Sequence, residues 1–169
     1  MKYTKYGYRI NPLKEAERLT WIFLPGGPGL GSEYLEEFCL NLNLPGSIIL
    51  ADFPKDGTNT HGELALKLWQ DGLIDLVKSY ENVILVTHSF SGMFALFNPE
   101  LENLIKGLVI MNSTNANTFF DHLSKVHKQY NLPDLMPSLN KYHSNPSQEG
   151  YRDYWNIYKH YCYTLEEIT

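Results

Sequence analysis

The sequence predicts an α/β fold: a mostly parallel sheet with strands buried on both faces and helices between them. Three observations carry this expectation. Four short apolar runs of strand length are rich in β-branched residues and do not alternate apolar with polar, the pattern of strands covered on both sides. Segments with apolar residues at helical spacing lie between the runs, and strand–helix alternation favours a parallel sheet. The chain has 169 residues, 43% of them hydrophobic, enough to bury a core.

The four runs are Thr20–Leu24, Ser47–Ala51, Asn82–Val86 and Gly107–Met111. Tyr3 to Ile10 is expected to add an edge strand. After the first run, Ser32 is placed to cap a helix with Glu33 in its first turn and Leu35, Phe38, Cys39 and Leu42 on one stripe. Thr60 and Glu63 form a T-x-x-E capping box ahead of a second helix with Leu66, Trp69, Leu73, Val77 and Tyr80 at helical spacing. A third helix is expected from about Ser91 to Phe97, stopping near Asn98-Pro99. Beyond the polar loop Asn112–Asn117 no buried strand is evident. The expected division is residues 1–114 as the core and 115–169 as a helical segment. Its helices, about Thr118–Tyr130 and Ser147–Tyr161, are joined by turns around Pro133, Pro137 and Pro146. Tyr151, Tyr154, Trp155, Tyr158 and Cys162 form an aromatic stripe, which suits either packing or a lid over an apolar ligand. Thr164–Glu167 is a further T-x-x-E box close to Thr169, so the chain reads as cut off.

Composition narrows function. Lys and Arg number 14 against 19 Asp and Glu, a formal net charge of −5, and no basic cluster is present, which argues against nucleic acid as a partner. No apolar run reaches the roughly 18–20 residues of a membrane span, and residues 1–8 have no apolar core of a signal peptide. Cys39 and Cys162 are isolated, which fits a reducing cytoplasm and provides neither a disulfide framework nor a sulfur metal site. No metal and no cofactor is expected.

Two motifs carry chemistry. Leu24-Pro25-Gly26-Gly27-Pro28-Gly29 follows the first buried run and precedes a helix. Such a loop brings backbone N–H groups to an anion, either a dinucleotide phosphate or the oxyanion of an acyl-transfer intermediate. For the dinucleotide, Gly27-x-Gly29 would lead to Ser32, with Asp52 on a ribose, but Pro28 removes one N–H. The second motif, Thr87-His88-Ser89-Phe90-Ser91-Gly92, also passes from strand to helix, the setting of a nucleophile elbow with Ser89 as the nucleophile. Thr87 and Ser91 stand where the G-x-S-x-G pattern has glycine. Alone, the motif also suits an N-cap serine. Taken together, the two motifs favour one acyl-transfer site, with N–H groups of Phe90 and the Gly26–Gly27 turn aimed at one oxyanion.

On these residues the sequence resembles the α/β-hydrolases related to prolyl iminopeptidase. Pro25–Gly29 is similar to their H-G-G-P-G loop with Pro25 in place of His. Asp52–Asn59 is similar to D-x-x-G-x-G-x-S, and Thr87–Gly92 to the G-x-S-x-G-G elbow. The resemblance runs from about residue 20 to 113. It implies an incomplete α/β-hydrolase-type sheet followed by the start of a helical cap, and a serine hydrolase acting on a small-molecule ester, amide or short peptide. Ser89 would be the nucleophile, Gly27 and Phe90 the oxyanion donors, and Gly26 the residue that shapes the turn. The family's acid and base lie on later strands, about two further strand–helix units of roughly 30 residues each. Within the chain, His88 is adjacent to Ser89 and expected to point elsewhere, His61 lies in the loop after Asp52, and His122, His127, His143 and His160 sit in the cap-like region, so sequence places none within hydrogen-bond reach of Ser89. Asn112 stands where some hydrolases carry an alternative acid. The chain alone is therefore expected to be inactive or feeble, and the full-length parent or a complex with a complementing chain to be the hydrolase. The open sheet edge also leads to an expected homo-oligomer or swapped form. A non-catalytic remnant or split-gene fragment is the main alternative, and a dinucleotide-binding fragment a lesser one.

Overall fold

Alternate residues of the central strands face opposite sides of the sheet, and both sides are apolar. In the computed structural model, which describes residues 2–115, 119–145 and 147–162, these strands are β3 (Thr20–Leu24), β4 (Ser47–Asp52) and β5 (Val83–His88). Ile22, Leu24, Ile49, Ala51, Val83 and Leu85 share one buried cluster with Trp69, Leu73, Val77 and Phe94, which come from α2 (Leu66–Lys78) and α3 (Phe90–Leu96). Phe23, Ile48, Leu50 and Val86 face the other side, against Leu35 and Cys39 of a 3₁₀ turn (Ser32–Leu35) and α1 (Glu36–Asn41). Burial on both faces explains why these strands read as unbroken apolar runs.

The chain forms two compact units, Met1–Asn115 and Ala116–Thr169. The first contains a six-stranded sheet in the order β1-β2-β4-β3-β5-β6, where β1 is Lys2–Tyr3, β2 is Arg9–Lys14 and β6 is Gly107–Met111. β4, β3, β5 and β6 run parallel, and β1 and β2 are antiparallel additions at one side. The predicted α/β class and mostly parallel sheet are thus observed.

Several details differ from the sequence reading. The N-terminal strand is a hairpin: the chain turns at residues 4–8, Tyr3 pairs with Arg9, and the main strand runs on to Lys14. β6 is not buried on both faces, since Val109 and Ile110 are each 42% exposed and the strand has a described neighbour on β5 alone. Ser32 caps no helix. Gly31 holds the cap position, and the Ser32 N–H donates instead to Asp52 Oδ1 at 2.6 Å. Phe38, placed on the buried stripe by its spacing, is 45% exposed. The Thr60–Glu63 box lies outside α2, which begins after Ala65 without a side-chain cap. The Glu63 carbonyl accepts the Trp69 indole N–H at 3.0 Å, fixing the loop against the helix.

The second unit holds α4 (Phe119–Tyr130), α5 (Met136–Ser144) and α6 (Gln148–Cys162). The segment read as Pro-rich turns contains α5, with Pro137 in its first turn, a position where the missing N–H costs nothing. Tyr142, Tyr151, Tyr154, Trp155 and Tyr158 form a continuous aromatic ladder, with ring centroids 5.5 Å apart for Tyr154–Tyr158 and 5.8 Å for Tyr142–Tyr151. The Cys162 side chain and the Thr164–Glu167 box lie outside the described residues. No helix among the described residues is long and apolar enough to cross a membrane.

Candidate active site

Three loops meet because β4, β3 and β5 are adjacent and parallel. The register pairs Leu24 with Thr87, so the glycine loop after β3 and the Ser89 turn after β5 leave the sheet at the same end, beside the loop after Asp52. A crevice beyond the carboxyl ends of parallel strands is where α/β sheets place ligand sites.

Ser89 sits between β5 and α3 with φ 53° and ψ −118°, a conformation that ordinarily belongs to glycine. The backbone around it is pinned on every side. Its N–H donates to the Met111 carbonyl at 2.9 Å, and its carbonyl accepts the Ser113 hydroxyl at 2.6 Å and the Gly92 N–H at 3.0 Å. Ser89 occupies the cap position of α3, yet its side chain makes no cap hydrogen bond. The N-cap alternative therefore lacks the bond that defines it.

The two residues that replace glycine are absorbed by hydrogen bonds. Thr87 is fully buried, and its hydroxyl donates to the Val109 carbonyl at 3.0 Å, so its bulk lies between β5 and β6. Ser91 is also fully buried. Its Oγ accepts the His88 N–H at 2.9 Å and lies 3.1 Å from the Leu24 carbonyl, tying the turn to the end of β3. Gly92 supplies the space the turn needs: a Cβ built there would lie 2.5 Å from Ser113 Oγ.

The glycine loop reaches the turn at Gly26, where an added Cβ would stand 3.2 Å from Ser89 Cβ and 3.0 Å from His88 Nδ1. The Gly26 N–H donates to Tyr34 Oη at 2.7 Å, and that hydroxyl lies 2.6 Å from His88 Nδ1. Gly26 thus has its N–H engaged and serves the site by close approach. Phe90 N–H opens α3, where the first amides of a helix have no intrahelical acceptor. Burial lowers the His88 pKa, favouring the neutral ring, and raises that of Tyr34.

Asp52 and Asp56 hold the backbone that follows β3 through its N–H groups. Asp52 is 1% exposed and accepts from Arg9 Nε and Ser32 N–H, each at 2.6 Å. Arg9 also pairs with Glu33 at 2.6 Å. This engagement leaves Asp52 unavailable to a ribose, and Gly29 N–H, needed by the dinucleotide alternative, donates to Asp56 Oδ1 at 2.6 Å. Sequence reasoning missed Tyr34, Arg9 and Asp56. A signal existed for one of them: a glycine-rich loop needs acceptors for its N–H groups, and Asp56 lies directly before Gly57 in the neighbouring loop.

The two histidines of the first unit, His61 and His88, have other described partners. His61 stacks on Tyr3 with centroids 3.7 Å apart, and His88 faces Tyr34. His122, His127, His143 and His160 belong to the second unit. Asn112 follows β6 with φ 46°. No cluster of three or more His, Cys, Asp or Glu side chains among the described residues is placed to hold a metal ion.

No protein-family model matches the chain, and no curated protein matches it by sequence. Solved structures do match. The proline iminopeptidase-related protein of Thermus thermophilus superposes with a TM-score of 0.56 at 17% identity, over 64% of this chain and 42% of that one. The N-formylmaleamic acid deformylase of Pseudomonas putida gives 0.52 at 16%, over 61% and 41%. A Streptococcus mutans protein gives 0.52 at 15%, over 94% and 63%. The architecture is that of the α/β-hydrolase fold. The chain spans less than half the length of the first two of these proteins and less than two thirds of the third.

Proposed function

We propose that this chain carries the nucleophile half of a serine hydrolase of the prolyl iminopeptidase-like group. Ser89 is the nucleophile, and the N–H groups of Phe90 and Gly27 receive the oxyanion. The observation that carries this reading is the strained Ser89 turn, with an uncapped hydroxyl, beside the close approach of Gly26. Strain of about 1–3 kcal/mol at a non-glycine residue persists only where the surroundings impose it, and it concentrates at functional sites. The names of two neighbours, a deformylase and a proline iminopeptidase-related protein, support acyl transfer as the reaction class.

In the reaction, Ser89 Oγ attacks the carbonyl of a small ester, amide or short peptide while a base takes its proton. The tetrahedral oxyanion is held by the two N–H groups until the base gives the proton to the leaving nitrogen or oxygen, whose bond to the carbonyl carbon breaks as the acyl-enzyme forms. Water then releases the acid. His61 and His88 of the first unit are engaged by Tyr3 and Tyr34, which supports a base from another segment or a complementing chain, with a second copy as a further source. The chain alone is inactive or feeble, since an oxyanion hole without its base leaves only residual catalysis.

The test is hydrolysis of small p-nitrophenyl esters and aminoacyl anilides by the chain and by Ser89→Ala. Slow or absent turnover is expected. Fast turnover that Ser89→Ala abolishes would overturn the need for an external base, and slow turnover unchanged in Ser89→Ala would remove Ser89 from the reaction.

A further inference from the structure

Among the described residues, Asp56 Oδ2 is the one buried side-chain oxygen or nitrogen without a hydrogen-bond partner. Such orphans are uncommon in folded proteins, and one at a candidate site calls for a physical reason. Asp56 is 5% exposed. Its other oxygen, Oδ1, accepts the Gly29 N–H at 2.6 Å and so fastens the β3 loop to the loop after β4. The orphan faces the same loop one turn earlier: a Cβ built on Gly27 would lie 3.3 Å from it. Gly27 itself has φ +148°, a conformation that side chains rarely adopt, so the loop needs holding from outside.

An ionised carboxylate with a bare buried oxygen is costly, whereas a neutral acid keeps Oδ1 as an acceptor and leaves an unpaired O–H in place of a buried charge, the smaller cost. Charge also matters for the reaction. A carboxylate beside Gly27 would oppose the negative charge that develops on the substrate oxygen, and a neutral carboxyl would not. We propose that Asp56 is a positioning residue: in its protonated form it pins the glycine loop through Gly29 and presents Gly27 to the oxyanion free of a neighbouring negative charge. This rests on the assignment of the Gly27 N–H above. Burial, aided by the charge of Asp52, pushes the Asp56 carboxyl above the usual carboxylate range, against the pull of the Gly29 and Gly57 N–H groups. The charged group that acts on it is Asp52 at the end of β4, itself paired with Arg9 of β2, which also holds Glu33 of the Ser32–Leu35 turn.

The experiment is an NMR pH titration of the isotopically labelled full chain beside Asp56→Asn and Asp56→Ala. The Gly27 and Gly29 amide signals are expected to move together with the Asp56 carboxyl carbon, at one midpoint above the ordinary carboxylate range. Asp56→Asn, which keeps the acceptor, abolishes this titration and leaves both amides near their low-pH positions. In Asp56→Ala, Gly29 N–H exchanges about tenfold faster than in Asp56→Asn, the scale of one lost hydrogen bond. A midpoint at or below the ordinary range would overturn the proposal, as would a Gly27 signal indifferent to Asp56 or an Asn variant displaced as far as Ala. If Asp56→Ala does not fold, the wild-type and Asn titrations still decide. None of these readouts depends on Ser89 reacting, so an unreactive Ser89 would sink the nucleophile assignment without touching the pin.

Discussion

Replacing Ser89 by alanine and by glycine separates the two roles open to a serine at the start of a helix. A side chain that capped α3 would lose about 0.5–2 kcal/mol on truncation to Ala. Ser89 makes no cap bond, so Ser89→Ala is expected to change stability by less than about 0.5 kcal/mol, as for a substitution that removes no interaction. Glycine does more. The backbone at φ 53° and ψ −118° holds roughly 1–3 kcal/mol of strain with a Cβ present. Glycine releases that strain but adds about 0.4–1 kcal/mol of unfolded-state entropy. The net gain is about 1 kcal/mol, and with a urea dependence of about 1–3 kcal/mol per molar it raises the unfolding midpoint by roughly 0.3–1 M. The assay is urea denaturation of the three proteins followed by tryptophan fluorescence. A loss above about 1 kcal/mol in Ser89→Ala would show a cap and refute the reasoning. A Ser89→Gly variant less stable than wild type would show that the turn stores no strain.

Four further outcomes follow from the geometry. Asp52→Ala leaves the buried Arg9 with only the half-exposed Glu33 as partner and should lower stability by up to about 3–5 kcal/mol, while the double change Arg9→Met with Asp52→Leu should cost clearly less; denaturation midpoints compare them. Tyr34→Phe strips the acceptor from Gly26 N–H and should cost roughly 1–2 kcal/mol; imidazole nitrogen shifts should also show the His88 tautomer ratio change as the hydroxyl contact to Nδ1 is lost. Gly57→Ala should destabilise by more than about 2 kcal/mol, since φ is +54° and the added Cβ would lie 2.3 Å from the Gly31 nitrogen; retained thermal stability would contradict it. For Asp56, a carboxyl raised in the folded state contributes stability that is full below the unfolded pKa and is lost as pH rises through the folded one; Asp56→Asn should therefore gain on wild type toward neutral pH and lose that advantage in acid, measured by denaturation across pH.

What was legible in the sequence depended on how local its cause was. Thr20–Leu24 and Gly107–Met111 are strands over the spans their apolar runs predict, and for Thr20–Leu24 the cause is burial on both faces, which writes a continuous run into the chain. The same rule misled on exposure, since Val109 and Ile110 have the composition of a buried strand and lie on β6, whose described partner is β5 alone. Arg9–Lys14 carried no apolar run. It pairs with β4, and Arg9 is buried by an ion pair to Asp52, 43 residues away, which periodicity cannot show. The Thr60–Glu63 box had the letters of a helix start, but Trp69 claims the Glu63 carbonyl from within α2. At the site, the glycine loop and the Ser89 turn were readable because strained and tight turns restrict residue type. Of the groups that hold them, Asp56 left only the hint of a carboxylate before Gly57, and Tyr34 left none, because both roles exist only after β3, β4 and β5 align.

The central claim is that Ser89 is a nucleophile whose base lies outside its own unit, and intact mass after fluorophosphonate treatment tests it most directly. The folded chain is incubated with and without added imidazole, beside Ser89→Ala. The account predicts one slow adduct that imidazole accelerates and that Ser89→Ala lacks. No adduct at any imidazole concentration, or an adduct that survives in Ser89→Ala, would contradict it.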